Sequence, residues 1–93
     1  MSRQRNMDVI QQAEYVTIGE LVRLTGTRYS TLKFYTEQGM LPFEQEEANL
    51  TRRYRRVDSV ERIRQLKELR AAGRPIPAIK QILEQEEDQG DDS

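Results

Sequence analysis

Thr17–Leu41, TIGELVRLTGTRYSTLKFYTEQGML, decides how this chain folds. Thr17 and Glu20 stand three apart immediately before an apolar repeat, which is the spacing of a capping box. Ile18, Leu21, Val22 and Thr25 follow one helical face, and Gly26 supplies a stop. Thr27 then offers a second N-cap, and the pattern predicts a new helix from Arg28 to Gln38. Leu32, Tyr35 and Gly39 share one side of it, with Ser30, Lys33 and Glu37 on another. Two short helices joined by a glycine turn outline a helix-turn-helix. Arg28–Phe34 is the expected DNA-reading surface.

Outward from this stretch, the 93-residue length fits one small domain, and a hydrophobic fraction of 35% allows a modest core. The chain has no cysteine and no histidine. Disulfides and thiol chemistry are thereby excluded, together with imidazole ligands and the commonest general base. There is no phosphate-cradling glycine loop, and the carboxylates are scattered, so an enzyme is disfavoured and no cofactor or metal is expected. No apolar run approaches the length of a membrane span or a signal peptide, and a cytoplasmic location is expected.

The formal net charge is −1, but the charges are segregated. Residues 1–83 hold all fifteen Lys and Arg against ten acidic residues, for +5, while residues 84–93 carry −6. A basic body with an acidic end suits a nucleic-acid partner better than the total suggests.

Residues 1–14 read as an N-terminal arm. Its first seven residues are frayed, and Asp8 caps one or two helical turns that carry Val9, Ile10 and Ala13. The arm either lies on the body or serves self-association. Tyr15-Val16 is a very short extended segment. Beyond Gly39, Met40–Phe43 begins an edge strand, because Pro42 cannot donate to a ladder. Leu50–Val57 (LTRRYRRV) returns as its partner, making a wing. Asp58 and Glu61 form another capping-box pair, followed by a stripe of Val60, Ile63, Leu66, Leu69 and Ala72 that stops at Gly73. Ile76–Leu83 is a short last helix, and residues 84–93 are an acidic tail with nothing to bury, expected to be disordered. That tail either solubilises the chain or competes for its own basic surface.

The order of these blocks (TIGELVRLTG, TLKFYTEQGMLP, an Arg/Tyr-rich hairpin, VERIRQLKELRAAG and IPAIKQIL) resembles the DNA-binding domain of the mercury-resistance-regulator (MerR) family, over Tyr15 to Leu83. The resemblance implies a mainly α fold: a winged helix-turn-helix with a small two-stranded wing and two further helices. It also implies a homodimer on palindromic double-stranded DNA. Lys33 and Tyr35 match the family's motif and Phe34 replaces a tyrosine. Ser30 stands where an arginine is common, and Arg28 where a small cap residue is common. Family members usually continue into a long coiled-coil helix and often an effector domain; a regulator lacking an effector domain, with no small-molecule effector, is expected here.

The residues expected to meet DNA are Thr17, Arg28, Tyr29, Ser30, Lys33, Phe34 and Tyr35 in the helix-turn-helix, with Arg52, Arg53, Tyr54, Arg55 and Arg56 in the wing strand. Arg28 and Lys33 suit guanine edges or phosphates. The wing arginines suit phosphates, and Tyr35 is expected mainly in the core. The leading expectation is a sequence-specific transcriptional regulator working as a dimer. An architectural or recombination-accessory DNA-binding protein, or a winged-helix module for protein interaction, is the alternative.

Overall fold

Thr17 begins the organising helix as its spacing predicts. In the computed structural model, which describes residues 5–90, the Thr17 hydroxyl accepts from the Glu20 amide at 3.2 Å, and the Thr17 amide donates to Glu20 Oε1 at 2.9 Å. Helix α2 then runs Ile18–Thr25 and ends at Gly26, whose φ of 67° is the left-handed conformation that costs glycine least. The next helix, α3, spans Tyr29–Glu37. Its N-cap is Arg28, in extended conformation and without a side-chain cap, where Thr27 had been expected. Thr27 is buried instead, with its hydroxyl 3.0 Å from that of Thr25. The polar turn is satisfied inward, and Arg28 stands exposed at the mouth of α3.

Gly39 does not join Leu32 and Tyr35 on the buried side. It is exposed at φ 76° and closes α3 with a Schellman motif: Met40 N–H to Tyr35 O at 2.9 Å, and Gly39 N–H to Thr36 O at 3.1 Å. Met40 and Leu41 are each 1% exposed. The Met40 amide is already spent on Tyr35 O in the cap of α3, and Pro42 has no donor, so this segment does not pair as an edge strand. The wing is therefore joined by a single antiparallel bridge, Glu44 to Arg53, with N···O distances of 2.7 and 2.8 Å. Gln45 closes its loop by donating to Leu50 O at 2.5 Å.

The two-stranded sheet lies at the other end of the wing strand. Strand β1, Tyr15–Val16, pairs antiparallel with β2, Tyr54–Arg55, in the register Tyr15–Arg55 and Val16–Tyr54. The short segment ahead of α2 thus supplies the ladder that Met40–Phe43 was expected to supply. Helix α4, Arg56–Ala71, follows without a break. It starts two residues before Asp58 because the Arg56 amide is already satisfied by Glu14 O at 2.9 Å. The expected Asp58–Glu61 capping box does not form, and Glu61 pairs with Arg64. Ile63 and Leu66 are buried, whereas Ala72 is the exposed C-cap and not the end of the stripe.

Helix α5 spans Ile76–Gly90. It continues well past Leu83, so residues 84–90 are helical and not a disordered tail; residues 91–93 lie outside the described residues. Glu and Gln are good helix formers, and nothing before Gly90 breaks the turn. Gln65 of α4 also donates to Glu86 at 2.6 Å.

The N-terminal arm forms helix α1, Met7–Gln12, capped by Asn6, not Asp8, through a 3.0 Å bond from the Val9 amide. Ile10 is fully buried with Leu21, Leu32, Tyr54, Leu66 and Ile79. Each helix, together with β2, therefore supplies part of one core.

Candidate nucleic-acid interface

Helix α3 divides cleanly. Leu32, Tyr35 and Thr36 face the core, while Arg28, Tyr29, Ser30, Lys33 and Phe34 are exposed, with Tyr29 at 54% and Phe34 at 41%. Leaving Tyr29 and Phe34 in water goes against their apolar character, and large exposed apolar groups beside cations point to a contact surface. No side-chain hydrogen bond or ion pair among the described residues engages Arg28 or Lys33. Both cations are left with their full donor capacity.

The wing strand alternates in the same way. Tyr54 is fully buried, and Arg53 and Arg55 beside it are exposed, as the two-residue period of a strand requires. The Arg52 guanidinium lies 4.7 Å over the Phe43 ring, and that of Arg53 lies 5.0 Å over Tyr15. Such cation–π contacts hold an arginine in place without neutralising it. Arg56 is used differently: its Nε donates to Ala13 O at 2.7 Å and ties the arm to α4. Of the residues expected to meet DNA, Tyr35, Tyr54 and Arg56 are thus placed in the fold's interior or its seams. The Thr17 hydroxyl caps α2.

The acidic residues of the wing are partly occupied. Glu44 accepts the Tyr15 hydroxyl at 2.8 Å, and that hydrogen bond is the main reason the Tyr15 phenol titrates above its ordinary value. Glu46 lies 3.9 Å from Arg53. A cavity of about 150 Å³ opens at the wing base, between Phe43, Arg53, Arg55 and Asp58.

Sequence reasoning missed the clamp on the arm. Arg5, read as frayed, donates from Nε and Nη2 to the two Glu20 oxygens at 2.7 Å each, and from Nη2 to Tyr15 O at 3.1 Å. Arg23 donates to Arg5 O at 2.6 Å. The Arg5 hydrogen bonds hold the Glu20 carboxyl below its ordinary range, aided by the bond from the Thr17 amide. No local pattern links residues this far apart. Residues 1–4 of the arm lie outside the described residues.

The exposed groups are cations and neutral donors flanked by aromatic rings, a set suited to an anionic polymer. A family model described as the MerR HTH family regulatory protein matches residues 16–86. The chain belongs to the MerR family. Comparison with curated proteins and with solved structures gave no match. As a MerR-family member, with the winged helix-turn-helix this family implies, it is a DNA-binding transcriptional regulator. The match covers the arc from β1 into α5, so both faces described above belong to the MerR unit. Among the described residues, no helix is long and apolar enough to cross a membrane.

Proposed function

We propose that this MerR-family chain is a sequence-specific regulator that reads the major groove with the exposed face of α3. Arg28, Tyr29, Ser30 and Lys33 reach base edges or adjacent phosphates, and Phe34 packs at the margin. Arg52, Arg53 and Arg55 of the wing grip the phosphate backbone. The observation that carries this reading is the partition of α3, in which Arg28, Tyr29, Ser30, Lys33 and Phe34 are exposed at or after its N-cap while Leu32, Tyr35 and Thr36 are buried. Arg28 and Lys33 have the donor geometry for guanine N7 and O6, each such pair discriminating by about 1–3 kcal/mol.

One small domain offers a limited interface, so a homodimer on an inverted repeat is the expected working form. The arm is a poor pairing surface, since Ile10 is spent in the core and Arg5 is clamped to Glu20. Helix α5 is the better candidate, because it extends to Gly90. Selection of bound sites from a random duplex pool tests the proposal. The expected product is a shared inverted repeat with half-sites about 10 base pairs apart, or a multiple of that spacing. A recovered pool with no common motif contradicts sequence-specific reading.

A further inference from the structure

The recognition helix and the wing strand meet at one buried polar contact. Thr36, in the last turn of α3, and Tyr54, on β2, are 5% and 0% exposed, and their hydroxyl oxygens lie 2.9 Å apart. Thr36 has one hydroxyl hydrogen, and it goes to Leu32 O at 2.9 Å. The Tyr54 hydroxyl must therefore be the donor to Thr36. The result is a directed chain: Tyr54 donates to Thr36, and Thr36 donates to the backbone of the helix that carries Lys33.

An apolar pair of the same shape would fill this space equally well, so packing alone does not call for two hydroxyls. A buried hydrogen bond adds what packing lacks, a fixed distance and direction between two elements. Tyr54 is flanked by the exposed Arg53 and Arg55 on β2, and Thr36 lies three residues from the exposed Lys33 on α3. Whatever fixes Tyr54 on Thr36 also fixes the wing cations relative to the reading face.

We infer that Tyr54 and Thr36 are positioning residues that set the wing at the spacing from α3 at which one duplex meets both. This rests on the proposed DNA contacts of α3 and the wing. It differs from the expectation that Tyr54 touches DNA itself, which its complete burial opposes.

The test compares the full chain with Tyr54→Phe, Thr36→Val and Thr36→Ser, using a random-sequence duplex across a salt series. Circular dichroism at the assay temperature reports the folded fraction of each. Tyr54→Phe and Thr36→Val should stay folded, bind several-fold more weakly at low salt, and show a log–log salt slope shallower by about 0.9, the value of one lost phosphate contact. Thr36→Ser keeps the hydroxyl and should retain the wild-type slope. If Tyr54→Phe unfolds, Thr36→Val against Thr36→Ser decides. Folded valine and phenylalanine variants with wild-type affinity and slope overturn the inference and leave the DNA reading intact. A wild-type chain that binds no duplex at low salt overturns the DNA reading itself, and the inference with it.

Discussion

Replacing Arg28, Lys33, Arg53 and Arg55 together by alanine is expected to remove most DNA binding while leaving the fold intact. All four side chains are exposed and none belongs to the core. The Arg53–Glu44 bridge uses backbone atoms only and survives the change. Each phosphate neutralised by a cation contributes about 0.9 to the slope of log affinity against log salt, so loss of all four would flatten it by up to roughly 3.6. Any of the four that meets a base edge would lower affinity without its full share of the slope. Arg64→Ala is the matched control: Arg64 is an exposed arginine on α4, paired with Glu61 and Glu68. It should bind like wild type. A quadruple variant with an unchanged slope would place the DNA surface elsewhere.

Leu21→Ala should have the largest effect on stability. Leu21 is fully buried on α2, whose main packing partner is α4. Truncating a buried leucine to alanine costs about 2–5 kcal/mol through lost transfer energy and the cavity left behind. Domains of this size sit toward the low end of a total stability of about 5–15 kcal/mol. Melting should therefore fall by roughly 8 °C or more, and DNA binding at 37 °C should fall with the folded fraction. Val57→Ala, at a position 65% exposed in the first turn of α4, should change stability by no more than about 0.5 kcal/mol. Equal melting of the two variants would contradict the core assignment.

The helix-turn-helix was legible because its signals are local. A capping box, an apolar stripe and a left-handed glycine each act within one or two turns, and Thr17, Leu21 and Gly26 take the roles their spacing predicts. Thr27 did not, since a hydroxyl that can cap a helix can also bond inward to its neighbours. The wing was legible as a strand pair in composition but not in partner. Strand pairing depends on which backbone arrives alongside, and β1 comes from ahead of α2. Residues 84–90 misled in another way. Lack of apolar residues argues against burial, not against helix, and Glu and Gln are good helix formers that let α5 run on to Gly90. At the candidate interface, exposure on α3 followed from helical periodicity. The burial of Tyr54 did not, because an Arg-rich run carries no period-two signal in charge alone; only the alternation of the folded strand separates Tyr54 from Arg53 and Arg55.

Mapping backbone amide shifts by NMR during titration with duplex DNA tests the central claim most directly. The claim is that the exposed face of α3 and the wing strand form one DNA-binding surface. The expected result is that the largest perturbations cluster on residues 28–34 and 52–55, saturate at a common ratio, and leave α1 little changed. Perturbations centred on α1 and α5, with residues 28–34 silent, would contradict it.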